Sequence, residues 1–320
     1  MARSVYPVSD HCDGTRFSNP HAVAGRGLGD VLKWQRSRQQ VAWPDHVPLV
    51  PHDPPPESVS HGQIAATFIG HSTFVLRTAD AVFVTDPVFT SHAGPFGRFG
   101  PRRVREPAIP LDRIPTPAVV LVSHNHYDHL QPSSLRGLRD RSDPLFVAPL
   151  GVGAFLRNLG LIKVVELDWW ESHDAGGSLI TAVPAQHFSA RTLFDRNLTL
   201  WCGFVVRSAG ATIYFTGDSG YSPQFAEIGR RHPGIDLALI PVGAYEPRWF
   251  MQPMHVNPRE AVQIHRDVAP RLSIGMHFGT FRLTDEGIDD PRRALEAARA
   301  ELQVSEAAFR LLDFGESVTV

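Results

Sequence analysis

Cysteine, lysine and long apolar runs are all scarce in this chain, and each scarcity excludes something. Only Cys12 and Cys202 occur, far apart, so no disulfide framework can form, which fits a reducing compartment. Lys33 and Lys163 are the only lysines among 31 basic residues. Arginine forks suit phosphate, but a base-composition bias that also favours Ala and Pro is the simpler cause. A formal net charge of -2 gives no general attraction to nucleic acid or anionic lipid. No apolar run approaches the ~18 residues of a membrane span. The opening Met1-Ala2-Arg3-Ser4-Val5-Tyr6-Pro7 has no apolar signal core, so a cytoplasmic protein is expected. With 42% apolar and 20% charged residues, 320 residues suffice for one large α/β domain.

What the chain does contain is a dense run of ligand-type side chains, Ser123-His124-Asn125-His126-Tyr127-Asp128-His129. Before it, Ala118 to Val122 is a short β-branched run that reads as a buried strand. After it, Pro132 suits the first turn of a helix. The run therefore sits in a loop at the carboxyl end of a strand, where a rigid sheet holds it still. A compact turn can aim His124 and His126 at one ion and Asp128 and His129 at another. Imidazole and carboxylate without thiolate suit zinc, with manganese or iron as weaker options. The bland alternative is a histidine-rich surface loop; three histidines and an aspartate at this spacing after a buried strand favour a metal.

His-x-His-x-Asp-His resembles the signature of the metallo-β-lactamase superfamily of hydrolases. The fuller string, His124 to Leu130, resembles a narrower branch that holds N-acylphosphatidylethanolamine-hydrolysing phospholipase D and its bacterial relatives. Further segments resemble that branch. They are Gly14 to Pro20 in the first sixty residues, Gly70-His71-Ser72, the basic run Gly100 to Arg105, and His255-Val256-Asn257-Pro258.

Residues 1–60 are rich in Pro, His and Arg and poor in periodic pattern. Phe17, Trp34 and Trp43 argue that this arm packs on the domain of residues 61–320, with a short helix near Val31 to Arg36 that turns Trp34 inward. Two strand series follow. The first is Ile64–Ile69, Phe74–Arg77, Val82–Thr85, Ala118–Val122, Leu145–Ala148 and Val164–Leu167. The second is Leu179–Val183, Leu198–Val206, Thr212–Thr216 and Leu237–Pro241, closed by a last strand at Ile274 to Met276. Helices are expected at Pro132–Asp140, Gly151–Leu159, Pro223–Arg231, Pro258–Val268 and Pro291–Glu301. Two strand sets with helices outside both imply an α/β fold, a four-layer αββα sandwich, which is also the fold the resemblance implies.

The resemblance completes a ligand set. His187, Asp218 and His277 each follow a strand-like run and match the later ligands of the superfamily pattern. One ion would take His124, His126 and His187; the other would take Asp128, His129 and His277, with Asp218 between them. Asp86, in Thr85-Asp86-Pro87, would orient a ligand such as His126 or hold the loop. His71 is as readily a structural histidine as a pocket one. His255 would be a substrate contact or proton donor, so Asp128 and His255 are the candidate catalytic residues. The basic run reads either as a phosphate-contacting loop or as a solvated one. Phe89, Phe96 and Phe99 either line a lipid-facing groove or pack.

The function implied is a hydrolase using two zinc ions, or manganese or iron, on a phosphodiester of the N-acylphosphatidylethanolamine type. The partner is a small-molecule or phospholipid substrate, with peripheral membrane contact and no nucleic acid; a homodimer is left open. The alternatives are a lactonase or other ester hydrolase of the same superfamily, and a non-enzymatic metal- or nucleic-acid-binding module.

Overall fold

The computed structural model describes residues 6–21, 26–39 and 41–320. Two mixed seven-stranded sheets face one another. The first holds β1 (Ala65–Gly70), β2 (Thr73–Arg77), β3 (Val82–Thr85), β4 (Val119–Leu121), β5 (Leu145–Pro149) and β6 (Val164–Leu167), with β14 (Ser317–Thr319) on the far edge beside β1. Strands β3 to β6 run parallel. The second sheet runs from β7 (Ser172–Asp174) through β8 (Leu179–Val183), β9 (Gly203–Ser208), β10 (Ala211–Phe215), β11 (Leu237–Pro241) and β12 (Leu272–Met276) to β13 (Phe309–Arg310). The helices are α1 (Leu28–Ser37), α2 (Pro132–Ser142), α3 (Val152–Asn158), α4 (Gln224–Arg231), α5 (Arg248–Met251), α6 (Pro258–Val268) and α7 (Asp290–Leu302).

Period-two alternation explains the layering. On β3, β4 and β5, Phe83, Leu121 and Val147 face the second sheet, while Val84, Val120 and Phe146 join a separate cluster with Leu135 and Leu138 of α2 and Leu156 of α3. Parallel strands covered on both faces read as unbroken apolar runs, which is why the sequence shows them so plainly. The inter-sheet core adds Phe68, Phe74, Phe204 and Phe215, all fully buried; each such ring contributes roughly 1.5–3 kcal/mol.

The αββα expectation is met, and most boundaries fall within a residue or two. The strand expected at Leu198 begins only at Gly203. Leu198 to Cys202 instead leaves its own sheet: Leu200 N–H donates to Leu150 O and Cys202 N–H to Ser123 O, stitching the second sheet to the first. Of the first sixty residues, Phe17 is 2% exposed within the main core, Trp34 stacks on Phe250 at 4.8 Å, and Trp43 donates to Glu286 O. Residues 1–5, including most of the segment inspected for a signal core, lie outside the described residues.

Candidate metal centre

Five strand ends converge on one point. β4 delivers Ser123 to His129, β3 delivers Asp86, β8 leads to His187, β10 to Asp218 and β12 to His277. Gly217 allows the approach of the β10 end. Its φ is +64°, and a Cβ there would lie 2.8 Å from Cys202 O and 2.9 Å from Ser123 Cβ. His71, Asp86 and His277 all have positive φ, at 58°, 30° and 61°. Non-glycine residues held there cost of order 1–3 kcal/mol each and persist only where the surroundings over-determine them.

His124 Nε2 lies 2.9 Å from His126 Nδ1, which lies 3.2 Å from His187 Nε2. Around the neighbouring point, Asp218 Oδ2 is 3.1 Å from His129 Nε2 and 3.0 Å from His277 Nε2, and Asp128 Oδ2 is 3.3 Å from His277 Nε2. The structure thus brings together all seven residues named as ligands from the sequence. It adds His71, whose Nε2 is 3.1 Å from Asp128 Oδ2 and whose ring lies 4.1 Å from that of His277. His255 reaches the same place, with Nδ1 4.0 Å from Asp218 Oδ2.

The second ring nitrogens explain which lone pairs point inward. His129 Nδ1–H donates to Asp86 Oδ2 at 2.6 Å, and Ser123 Oγ–H donates to the same oxygen at 2.5 Å. That leaves the Ser123 hydroxyl to accept from His124 Nδ1–H at 2.8 Å. His187 Nδ1–H donates to Met254 O at 2.8 Å. In all three histidines Nε2 is therefore the atom left to bind a metal; in His129 burial is outweighed by Asp218 and Asp128, which raise the ring well above its ordinary value, so a metal there would displace a proton. Asp86 serves His129 directly and His124 through Ser123. The expectation that it orients His126 is corrected: His126 turns Nδ1 toward the cluster and meets its neighbours there, not Asp86.

The donor set fits divalent metal. Ligands on one tetrahedral ion at ~2.0–2.1 Å stand ~3.3 Å apart, close to the spacings among the three imidazoles. His129 Nε2 and Asp218 Oδ1 are buried without a hydrogen-bond partner, an arrangement that costs stability unless something satisfies it. Both thiols are buried, and neither belongs to the clusters of candidate ligands. Burial, then the neighbouring His187, lowers His126 to about 3, and burial lowers His187 to about 4. Burial and the adjacent imidazoles push His124 well below its ordinary value. Burial also lowers His277, but Asp218 and Asp128 outweigh it and raise the ring to about 9. Asp128 and Asp218 are held well below the usual carboxylate range, burial being overcome by His129 and His277. One side of the centre is neutral imidazole; the other is carboxylate facing positive charge.

A cavity of about 390 Å³ opens over the cluster. His126, Asp128, Asp218 and His255 form its polar floor, and Val31, Trp34, Phe250, Met251, Met254 and Leu283 its apolar wall. Two hollows of about 650 Å³ elsewhere carry none of the clustered His and Asp side chains.

Several supports were not visible in the sequence. Arg191 Nη1 donates to Asn125 O at 2.6 Å and Leu130 O at 2.9 Å, bracketing the ligand loop, while its guanidinium stacks on Tyr127 at 4.0 Å. Arg248 Nη1 donates to His255 O at 2.8 Å, and Asn257 and Glu260 cap α6 reciprocally just after it. Within the basic run Arg102 is exposed, as a solvated loop would have it, but Arg103 is not. Arg103 is 4% exposed, donates to Val88 O and Thr90 O, and stacks on Phe281, so it braces the fold from inside.

Comparisons with known proteins place these features in a family. Residues 82–278 match the β-lactamase superfamily domain. The chain is 38% identical over 270 residues to N-acyl-phosphatidylethanolamine-hydrolyzing phospholipase D 1 of Caenorhabditis elegans, covering 80% of this chain and 76% of that protein. It is 37% identical over 237 residues to the mitochondrial N-acyl-phosphatidylethanolamine-hydrolyzing phospholipase D of Saccharomyces cerevisiae, covering 72% of this chain and only 50% of that one. Among solved structures, the fold is shared with an isothiocyanate hydrolase from Delia radicum gut bacteria (TM-score 0.63, 19% identity, 79% of this chain and 98% of that one). A metallo hydrolase from Ignicoccus hospitalis shares it too (TM-score 0.60, 20% identity, 81% and 98%).

Proposed function

From a chain that belongs to the β-lactamase superfamily of metal-dependent hydrolases, we propose a phosphodiesterase of the phospholipase D type that acts on N-acylated phosphatidylethanolamine-like lipids. One observation carries the reading: seven His and Asp side chains converge at the floor of a cleft whose wall is apolar. A lipid phosphodiester has the matching halves, an anionic centre and hydrocarbon. The activity for which the worm and yeast relatives are named supports the same class.

His124, His126 and His187 would hold one ion, and Asp128, His129 and His277 a second, with Asp218 facing both. Zinc suits this thiolate-free set, manganese and iron less well. When bound, the pair supplies Lewis acidity toward a phosphoryl oxygen and activates water. The chain's own residues do the rest. Asp86 and Ser123 fix two imidazole tautomers, Met254 O fixes a third, and Arg191 holds the loop between them. His255 is kept neutral, since burial drives it well below its ordinary value and Asp218 only partly offsets this. Its unpartnered Nδ1 lies 4.0 Å from Asp218 Oδ2, and the residue lines the cleft beside the cluster, where it would take the proton of the attacking water and pass it to the leaving alcohol. Water oxygen joins phosphorus, the phosphorus–alcohol bond breaks, and no covalent enzyme intermediate forms.

Hydrolysis of an N-acylphosphatidylethanolamine in ¹⁸O-labelled water tests this. One label belongs on the phosphatidic acid and none on the N-acylethanolamine, and a chelator abolishes turnover. Label in the alcohol, a trapped phosphoenzyme, or lactone opening without any phosphodiester turnover would sink the reading.

A further inference from the structure

We propose that Arg196 is the residue of the cleft that contacts the anionic part of the substrate, held in place by Phe188. The proposal rests on the phosphodiesterase reading for its substrate class, and deepens it. Four cations border this region, and three are committed. Arg191 donates to Asn125 O and Leu130 O, inside the ligand loop. Arg26 donates to the carbonyls of Trp249 and Phe250. Lys33 Nζ lies over the Trp249 ring at 4.7 Å, and neither residue lines the cavity. Arg196 lines the cavity with His126, Asp128 and Asp218, and among the described residues its guanidinium has no carboxylate or carbonyl partner. Only burial lowers its pKa, with no acid beside it to raise it again.

An unpaired arginine on a surface is ordinary; its anchorage here is not. The Arg196 guanidinium lies 4.6 Å from the Phe188 ring. That ring packs edge-on against His126 at 4.4 Å and lies 4.9 Å from His187. Phe188 is therefore a rigid spacer between the histidines of the centre and the cation. Stacking leaves the guanidinium N–H edges free to donate in the plane of the fork. The two carboxylates of the cavity floor, Asp128 and Asp218, are both in the candidate ligand set, so neither is available to neutralise Arg196. A cation so placed favours substrates with negative charge and discriminates against neutral esters of similar shape. Two sources of that charge are open, the scissile diester itself and a second anionic group carried next to it.

The test uses the metal-loaded full-length protein and compares Arg196→Gln and Arg196→Lys with wild type. With an N-acylphosphatidylethanolamine, Arg196→Gln should raise KM about ten- to a hundredfold with little change in kcat, and Arg196→Lys should recover part of it. The kcat/KM ratio of anionic diester to a neutral p-nitrophenyl ester should fall by the same factor. N-glutaryl-phosphatidylethanolamine, which carries a carboxylate as a second anionic group beside the diester, separates the sources. If its loss exceeds that of the N-acyl lipid, Arg196 reads the second group; an equal loss assigns the contact to the diester. Calorimetric binding of dihexanoyl phosphatidic acid needs no turnover. Weaker binding to Arg196→Gln at unchanged metal content supports the contact even if diesterase activity is never found, in which case only the phosphodiesterase reading fails. Equal binding to wild type and variant, or equal losses on anionic and neutral substrates, overturns the contact.

Discussion

At the scale of single residues, the centre depends on groups that never reach substrate. Asp86 accepts from His129 Nδ1–H and Ser123 Oγ–H, and so sets which nitrogen of two histidines is free. Asp86→Asn keeps the volume but offers an amide where both neighbours donate, so metal affinity or activity should drop ~10–100-fold. Metal retained after graded dialysis against a chelator measures this, and retention equal to wild type would show that the tautomers are set elsewhere. The carboxylates on the other side divide their duties differently. Asp218 Oδ2 faces His129 and His277, and its side chain also lies within ligand distance of His187 and His255. Asp218→Ala should therefore deplete both metals, whereas His277→Ala should leave the three-histidine site filled. Elemental analysis should read near zero for the first variant and near one ion for the second. Two ions in His277→Ala would remove that histidine from the set.

At the scale of elements, strand ends were legible and their supports were not. The run His124 to His129 shows itself because its spacing is local and a β-branched strand precedes it. His187, Asp218 and His277 became legible only by resemblance, since a single histidine after a short strand carries no intrinsic mark. Arg191 braces the ligand loop from more than sixty residues away, and nothing in Ala190-Arg191-Thr192 announces it. β13 and β14 are two and three residues long and exist through their partners β12 and β1, so no period could display them. β7 is a polar edge strand with the same difficulty. The first sixty residues show the point in energetic form. Their attachment includes His11, 5% exposed, whose Nε2 lies 2.8 Å from Asp168 Oδ1 and whose ring stacks on Trp169 at 4.2 Å. Burial lowers the His11 pKa, but the bonds to Asp168 and Asp10 outweigh it and raise the ring above 6.5. The same pairing holds Asp168 below its ordinary value against the opposing effect of burial. A raised histidine stabilises fully below 6.5 and loses that contribution as pH rises through its folded value; a depressed carboxylate loses its own as pH falls through its folded value. The latch should then be strongest in mildly acidic solution. The Tm difference between wild type and His11→Gln should be largest near pH 5–6 and shrink above neutrality. A difference that grows toward alkaline pH would mean that His11 stabilises as a neutral ring.

At the scale of the whole molecule, the proposed lipid substrate poses the question of how a buried centre would meet a bilayer. No helix among the described residues is long and apolar enough to cross a membrane. Large apolar side chains nevertheless stand in solvent near the centre. Phe96 is 86% exposed, Phe99 61%, Leu193 87% and Phe194 84%. Phe96 and Thr192 line a separate hollow that shares Tyr127 of the ligand loop with the cavity over the cluster, so the loops bearing these side chains lie beside that cavity. A net charge of -2 adds no general attraction to anionic lipid, so the bilayer contact proposed here would come from these side chains rather than from charge. Full burial of one such ring is worth roughly 1.5–3 kcal/mol, which makes binding by a few of them reversible. Phe96→Ser combined with Phe194→Ser should reduce co-flotation with neutral phosphatidylcholine vesicles about tenfold or more. Hydrolysis of a water-soluble chromogenic diester should change little, because neither side chain lines the cavity over the cluster. Flotation that persists in the double variant but disappears in high salt would point to an electrostatic contact and remove these loops from the interface.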